Sequence, residues 1–407
     1  MKVIFLSYDG LMDPLGRSQI LPYLENLRPH VDQMQIISFE KHHNINSDYL
    51  NKLSKKLSDQ KIQWKYQTFT ESNFLLFKIF DVLKFYQSFI FQCIRFKPTL
   101  VHARGHPMAM FAYSLKRFYK FRLLFDYRGM WPDEKIAKGS WRTSSFIDRL
   151  QYKFFKSQEL KLLKNSDHVI FLTNIIKKHF ANNNNEINNR SSVIPCASDY
   201  SFFRPSNKKI NKGNMLENQD FNNRIILGYL GSIGPLYDFD GYLDLLKLGL
   251  SNGVNIRGLV ITNNLENAKE NINIRSDYQL NKYIHCMSIS REEIPKYLEL
   301  FDFLISFCTI SDSIIGASPT KIGEALSLGI PIISNSGVGD TDAIIKKCDS
   351  GIIIQDTSIK SLKNCLEQIK TFKANKFLIR ETSKMFFDLN AASLKYQKVY
   401  KKLNMDD

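Results

Sequence analysis

Short apolar runs alternate with longer amphipathic segments along the whole chain of 407 residues. The runs have the length of buried strands, and the segments between them have the spacing of helices. Strands separated by helices predict βα units and mainly parallel sheets, one in each half of the chain. The predicted fold class is therefore α/β, with two doubly wound domains. The predicted strands are KVIFLSY, QIISF, LVHAR, LLFDYRG, HVIFLT and SVIP in the first half, and IILGYLGS, IRGLVIT, YIHCMS, FLISF, IPIIS and GIIIQ in the second.

The polar stretch after SDYSFFRP places the domain boundary near residue 203. We predict an N-terminal domain over residues 1–203 and a C-terminal domain over residues 204–384. A last amphipathic segment, about 385–403, follows the final strand, and we expect it to pack back on the first domain. Open parallel sheets bind ligands at the carboxyl ends of their strands, so the loops at those ends hold the candidate functional residues.

A formal charge of +16 points to an anionic partner, which could be nucleic acid, an anionic membrane surface or a phosphorylated small molecule. No helix-turn-helix, RNA-recognition or zinc pattern accompanies the charge, so we predict no nucleic-acid partner. The six cysteines are scattered without a CxxC pair, which indicates a reducing, cytoplasmic setting. The apolar start MKVIFLSYDG is too short for a signal sequence, and no window predicts a membrane span.

Much of the charge lies in residues 65–122, together with many phenylalanines. This segment could rest on anionic lipid as a basic, aromatic, amphipathic surface. A core-facing phenylalanine stripe with a solvated basic edge explains the same pattern, and the two interpretations stay open. The basic residues are Lys65, Lys78, Lys84, Arg95, Lys97, Arg104, Lys116, Arg117, Lys120 and Arg122, against Glu71 and Asp81.

Glycine-rich loops follow the first predicted strand of each half. In SYDGLMDPLGRSQ, Gly16 lies in a loop that leads into a helix, where an anion could bind. In YLGSIGPLYDFD, Gly231 and Ser232 would let a diphosphate approach the backbone. A plain βα turn is the alternative for the first loop. Asp238 and Asp240 have a DxD spacing, but carboxylates that begin a helix explain them better than a metal ion.

The segment SPTKIGEALSLGIPIISN, residues 318–335, predicts a helix that Ser318 caps and Gly329 ends. Thr320 and Lys321 then lie in its first turn, where the helix dipole disfavours a cation by about 0.3–1 kcal/mol. A diphosphate bound at that helix end would offset the penalty on Lys321. Glu324 could accept hydrogen bonds from sugar hydroxyls, or it could pair with Lys321 as a surface i,i+3 contact.

In the first half, charged residues follow two neighbouring strands. VHARGHP ends one strand, and we interpret His106 as functional and His102 as structural. FDYRGMWPDEK ends the next strand, where Arg128 could brace a phosphate and Glu134 could act as an orienter or base. An internal ion pair between Arg128 and Glu134 is the alternative.

With these motifs identified, the chain resembles the family 4 glycosyltransferases, retaining enzymes of the GT-B fold, over essentially its whole length. The segments that carry the resemblance occur in the family's order, and the last of them is similar to the family's donor-binding segment. They are SYDGLMDPLGRSQILPYL, FDYRGMWPDE, VIPCASDYSFF, YLGSIGPLY and SPTKIGEALSLGIPIISNSGVGD.

The resemblance implies two Rossmann-like domains that face a central cleft, with the nucleotide-sugar donor on the C-terminal domain and the acceptor on the N-terminal domain. It implies transfer without a metal or other cofactor, a ribose contact for Glu324, and a place near the donor sugar for His106. The chain departs from the family's pattern in two respects. Gly316 stands where the family has its first motif glutamate, and Ser232 and Asp240 stand nearest to its basic pair. We nominate Lys321 to stabilise the leaving diphosphate.

The predicted function is a retaining, hexosyl-transferring glycosyltransferase that uses a nucleotide-sugar and a glycan or lipid-linked acceptor. Cell-surface polysaccharide or glycolipid synthesis is the expected setting, in the cytoplasm or on the inner face of the cell membrane. Two alternatives stay open: a nucleotide-sugar epimerase of the GT-B shape, and a catalytically silent nucleotide-binding subunit.

Overall fold

The computed structural model describes residues 1–42, 45–70, 75–182, 184–206, 211–275 and 280–405. The side chains of residues 75–78, which include Lys78 of the basic segment, lie outside the described part. The chain divides into two compact units. The first comprises Met1–Glu134, Trp141–Pro195 and Leu389–Asp407, and the second comprises Lys135–Ser140 and Cys196–Asp388.

The first unit is built on a seven-stranded parallel sheet with the strand order β3-β2-β1-β4-β5-β6-β7. Its interior strands are buried on both faces, as their continuous apolar runs require. The strands are β1 (Lys2–Ser7), β2 (Gln33–Lys41), β3 (Ile62–Phe69), β4 (Leu100–Arg104), β5 (Arg122–Asp126), β6 (His168–Phe171) and β7 (Ser191–Val193).

Strand β3 has no counterpart among the predicted strands. Its sequence IQWKYQTF is mostly polar, and its side chains are largely exposed because it is an edge strand that pairs with β2 alone. An edge strand has less apolar surface to bury than an interior strand, so its sequence lacks the apolar run by which the other strands were identified.

The helices of this unit cover both faces of the sheet. They are α1 (Pro14–Gln19), α2 (Leu21–Leu27), α3 (Ser47–Asp59), α4 (Leu75–Phe96), α5 (His106–Tyr119), α6 (Trp131–Ala137), α7 (Phe146–Asn165), α8 (Asn174–Ala181), α9 (Asn185–Asn189) and α18 (Leu389–Met405), with Lys135–Ser140 assigned to the second unit. Helix α18 packs against α2, where the rings of Tyr23 and Tyr396 lie 5.4 Å apart and Asn26 Nδ2 donates to Ser393 Oγ at 3.1 Å.

The second unit has a six-stranded parallel sheet with the order β10-β9-β8-β11-β12-β13. One apolar cluster lies around Tyr242 and Leu366, and another lies around Phe301 and Leu326. The strands are β8 (Ile225–Leu230), β9 (Ile256–Ile261), β10 (Ile284–Met287), β11 (Phe303–Ser306), β12 (Ile332–Asn335) and β13 (Gly351–Ile354). The helices are α10 (Lys212–Met215), α11 (Phe239–Ser251), α12 (Leu265–Ile274), α13 (Ile294–Leu298), α14 (Thr320–Ser327), α15 (Thr341–Cys348), α16 (Ile359–Thr371) and α17 (Lys376–Phe387).

The predicted α/β class is thus confirmed, with two doubly wound parallel sheets. Within the described helices, none combines the length and the apolar character needed to cross a bilayer.

Gly16 has a packing role at the start of the first unit. It lies in α1, and a Cβ atom built on it would come within 2.0 Å of the Gly10 carbonyl oxygen. We therefore expect Gly16→Ala to lower the free energy of unfolding by about 2 kcal/mol, because backbone atoms of the loop would have to move. Urea unfolding checks this, with Gly234→Ala as the control, because Gly234 has open space around it and does not have a left-handed backbone conformation. Equal losses in both variants would contradict the packing role.

Candidate functional site

Lys321 is a buried cation that has no acidic partner in the part of the chain that the structure describes. It lies in the first turn of α14 with 7% of its surface exposed, and its Nζ atom is 4.9 Å from the ring centre of Tyr229 and 4.4 Å from that of Tyr237. Among the described residues, no carboxylate forms an ion pair with it. Burial lowers the pKa of Lys321 to about 8, because desolvation disfavours the charged form. A buried positive charge of this kind favours an anion as its partner.

The start of α14 differs from the prediction. The helix begins at Thr320, Pro319 occupies the N-cap position, and no side chain caps the first turn. Ser318, predicted as the cap, instead accepts a hydrogen bond at Oγ from the Cys196 backbone N–H at 3.2 Å. The helix stops as predicted, since Gly329 follows its end with a φ of +73°. An uncapped helix N-terminus is suited to an anion, and Lys321 adds its charge at the same end.

The loop after β8 is connected to Lys321 through Tyr229. The Tyr229 hydroxyl donates to the Ser232 carbonyl at 2.8 Å, while its ring faces the lysine. Gly231 has a φ of +116°, which requires glycine at this turn. Its N–H donates to the Ile261 carbonyl at 3.0 Å. The ring of Tyr229 thus fixes the distance between the loop and the cation.

Glu324 pairs with Arg291 and not with Lys321. Arg291 Nη1 lies 3.2 Å from Glu324 Oε1. The alternative interpretation of Glu324, a surface i,i+3 pair with Lys321, is therefore wrong. The Glu324 side chain is 8% exposed. Burial raises its pKa, and the charge and hydrogen bond of Arg291 oppose that rise. Arg291 was missed by sequence reasoning because it lies 33 residues away, before α13.

The two aspartates of the DxD spacing have structural partners. Asp238 Oδ1 accepts from the Gly241 N–H at 2.8 Å, as the N-cap of α11, and its Oδ2 accepts from the Thr357 hydroxyl at 2.7 Å. Asp240 pairs with Arg275 at 3.1 Å. Across the described part of the chain, no three His, Cys, Asp or Glu side chains cluster in a way that could hold a metal ion.

In the first unit, a buried carboxylate organises the ends of β4 and β5. Asp126 lies 3.5 Å from Arg128 Nη1, 3.7 Å from Arg104 Nη1 and 3.5 Å from His102 Nε2. Burial tends to raise the pKa of Asp126, but the charge of Arg128 and the other cations outweigh it and lower the pKa. The His102 Nδ1 atom lies 2.8 Å from the Tyr400 hydroxyl. Arg128 therefore neutralises an internal acid at the edge where a phosphate contact was predicted.

His106 begins α5 and is held by a fully buried glutamate. Its Nε2 atom lies 3.0 Å from Glu159 Oε1, and that oxygen also accepts from the Tyr127 hydroxyl at 2.8 Å. Lys156 Nζ binds the other oxygen of Glu159 at 2.5 Å and Asp133 at 2.9 Å. Burial would raise the pKa of Glu159, but His106 and Lys156 lower it overall. Sequence reasoning missed Glu159, which is 53 residues from His106.

Glu134 lies on α6, close to the turn that follows β5. Its carboxylate sits over Gly129, where a Cβ atom would come within 2.5 Å of Oε1. The candidates thus form two groups. Gly231, Ser232, Ser318, Thr320, Lys321 and Glu324 lie in the second unit, and Gly16, His106, Arg128 and Glu134 lie in the first.

Two doubly wound units on parallel sheets form the fold of the GT-B glycosyltransferases. Residues 56–202 match the family described as Glycosyltransferase Family 4. The predicted resemblance to the family 4 glycosyltransferases is therefore confirmed. Comparison with curated proteins finds no match.

Solved structures with this fold match the whole length of the chain. HepE from Anabaena in complex with UDP-glucose is 13% identical, with 100% of both chains covered and a TM-score of 0.70. A glycosyltransferase from Rickettsia africae is 16% identical, with 100% of this chain and 99% of that chain covered and a TM-score of 0.70. WaaG, a glycosyltransferase involved in lipopolysaccharide biosynthesis, is 13% identical, with 98% and 99% covered and a TM-score of 0.65. At these identities the likeness defines the fold.

Proposed function

We propose that the protein is a retaining glycosyltransferase that moves a hexosyl group from a nucleotide-diphosphate sugar to a glycan or lipid-linked acceptor, without a metal ion. The observation that carries this proposal is the buried Lys321, which has no acidic partner among the described residues and lies at an uncapped helix N-terminus. A protein pays a desolvation cost for such a charge, and a bound diphosphate offsets it.

The chemistry of transfer gives Lys321 its role. The bond between the sugar's anomeric carbon and the diphosphate oxygen breaks, and negative charge develops on the leaving diphosphate. A cation in a buried environment stabilises that developing charge more strongly than one in water. The acceptor oxygen forms the new bond on the same face of the sugar, and its proton passes to the leaving phosphate oxygen. This step needs no enzymic nucleophile.

Glu324 has the geometry for a ribose contact. Among the described residues only Arg291 binds its carboxylate, and it does so at Oε1. Oε2 can then accept from a ribose hydroxyl, while Arg291 favours the ionised form. Ser318, Thr320, Gly231 and Ser232 complete the proposed donor site. HepE, which has the same fold, was solved with UDP-glucose, so uridine diphosphate is the first nucleotide to test.

The first unit supplies the proposed acceptor side. His106, Arg128 and Glu134 are the catalytic candidates there, while Gly16 of the same unit is proposed as a further donor contact. His106 is held in one orientation by Glu159, which would suit a residue that must present its other ring nitrogen to a substrate. Arg128 follows the end of β5 and Glu134 lies on α6 close to that turn, at the carboxyl edge where doubly wound sheets bind ligands.

We further propose contact with the inner face of the cell membrane through α4, which would suit a lipid-linked acceptor and cell-surface glycan synthesis. Phe85 and Phe89 of this helix are buried, whereas Phe80 and Phe91 are each 55% exposed. The buried side fits a core-facing stripe, and the exposed phenylalanines on the same helix support the proposed membrane contact. Part of the basic charge serves the fold, because Lys116 and Arg122 both pair with Asp167.

A thermal-shift panel of UDP, GDP, ADP and CMP tests the donor site. We expect one diphosphate to raise the melting temperature, since a ligand that binds only the folded state stabilises it. Product analysis of the matching nucleotide-sugar, with and without acceptor glycans, then separates the alternatives. A new sugar isomer without acceptor would identify an epimerase, and binding without any turnover would identify a silent subunit. No shift with any nucleotide would overturn the proposed donor site.

A further inference from the structure

The outer face of α7 carries an uncovered apolar stripe. Its members are strongly exposed: Phe146 (73%), Ile147 (65%), Leu150 (60%) and Phe154 (50%). The spacing of Phe146, Leu150 and Phe154 places them on one side of the helix, opposite the buried Glu159, Leu162 and Leu163. No described residue of the first unit covers these four side chains. Four large apolar side chains so close together indicate a binding surface.

The charges on the same face of α7 all have one sign. Arg149, Lys153, Lys161 and Lys164 are exposed. The two acids of the helix are engaged elsewhere, since Glu159 is buried against His106 and Asp148 accepts from the Arg142 N–H at 2.8 Å. The exposed face thus combines aromatic and aliphatic side chains with basic ones. This composition is complementary to a surface that is apolar inside and anionic outside.

The topology puts α7 on the same face of the sheet as α4. Helices α4, α5 and α7 connect β3 to β4, β4 to β5 and β5 to β6, and these steps all run in one direction across the sheet. Because such crossovers are right-handed, helices that advance in one direction lie on one face. Accordingly α5 packs against both α4 and α7. Among the described side chains of α4, the large apolar ones that are exposed are Ile79, Phe80, Leu83, Phe91 and Ile94, and Phe118 is exposed in the last turn of α5.

We propose that the exposed face of α7 docks on an anionic lipid membrane, as a second membrane-contacting helix beside α4. The stripe would enter the boundary between head groups and acyl chains, and the four basic residues would reach lipid phosphates. The inference rests on the proposed function in one respect, because it enlarges the membrane contact already proposed for α4. A protein partner or a second copy of the chain is the competing occupant, but uniformly basic charge on the patch would repel another copy.

Vesicle co-sedimentation of the full chain tests the proposal. The vesicles are phosphatidylcholine with phosphatidylglycerol, and pure phosphatidylcholine is the reference. Leu150→Ser/Phe154→Ser should lower the partition coefficient by about tenfold or more, because two apolar side chains no longer insert. Ile274→Ser/Ile359→Ser is the control, since both residues are apolar and even more exposed but lie in the second unit, and it should bind like the wild type. Arg149→Gln/Lys153→Gln should weaken binding and reduce its salt dependence.

Each outcome separates the hypotheses. Loss of binding in a Phe80→Ser/Phe91→Ser variant alone, with the α7 variant unaffected, would overturn the role of α7 and keep that of α4. Sedimentation velocity that shows a dimer, dissolved by Leu150→Ser/Phe154→Ser, would make a second copy the occupant and also overturn the proposal. The thermal shift with nucleotide diphosphate is measured on the same samples. It should be unchanged in the α7 variant, and its absence in the wild type would refute the donor site without touching the membrane result.

Discussion

Lys321→Met is expected to lower the rate of sugar transfer by more than about tenfold while leaving the fold intact. The methionine keeps the apolar stem between Tyr229 and Tyr237 and removes only the charge. Lys321 has no ionic partner among the described residues, so its removal leaves no buried carboxylate unpaired, and folding should not suffer. Steady-state kinetics measures the loss, and the thermal shift with diphosphate should shrink in parallel. Lys346→Met, at an exposed lysine of the same unit, is the control.

The pKa of Lys321 gives this prediction a second readout. It lies near 8 in the free protein, so part of the population is neutral at that pH. A bound diphosphate favours the charged form, and binding should therefore take up protons at about pH 8. Calorimetry in buffers of different ionisation enthalpy measures this uptake, which Lys321→Met should abolish. In the absence of ligand, the pKa of Lys321 is lower in the folded state than in the unfolded state. Between these two pKa values the unfolded state binds more protons, so the free energy of unfolding should rise with pH.

Unchanged turnover together with unchanged proton uptake would remove Lys321 from the site. Reduced turnover with normal diphosphate binding would instead indicate a role late in the reaction, when charge develops on the leaving group.

The contrast between Lys321 and its neighbours shows what the sequence could predict. Lys321 could be identified from the sequence because the helix dipole disfavours a cation in the first turn, and one short segment shows both the helix start and the lysine. The same holds for the twelve apolar runs that became strands. Strand β3 was missed because an edge strand does not need an apolar run, and Ser318 was misplaced because helix ends shift by a residue or two.

Partners that are distant in the sequence could not be predicted. Glu159 reaches His106 from another helix, and Arg291 reaches Glu324 from the segment before α13. No local pattern marks either pair, since each exists only because the sheet brings its connecting segments together. Without a partner in view, the i,i+3 contact with Lys321 was the nearest interpretation for Glu324.

Arg291→Met should lower the free energy of unfolding by about 3 kcal/mol at neutral pH, since it leaves the buried Glu324 carboxylate without its cation. Burial already raises the pKa of Glu324, and without Arg291 the pKa should rise further. A carboxyl whose folded pKa exceeds its unfolded pKa binds more protons when folded, so stability falls as pH rises between the two values. The deficit of Arg291→Met should therefore be smaller at acidic pH than at neutral pH, because Glu324 is then protonated in the folded variant.

Urea unfolding of a double-mutant cycle at both pH values measures this. Glu324→Gln placed in the Arg291→Met background should recover most of the loss, because the unpaired charge is gone. The double variant also tests whether Glu324 contacts the ligand. If it folds normally but binds nucleotide diphosphate weakly, Glu324 acts on the ligand as proposed. If Glu324→Gln does not restore the free energy of unfolding, Arg291 stabilises the second unit through its contacts with the rings of Phe202 and Phe203. The ion pair with Glu324 would then contribute little to stability.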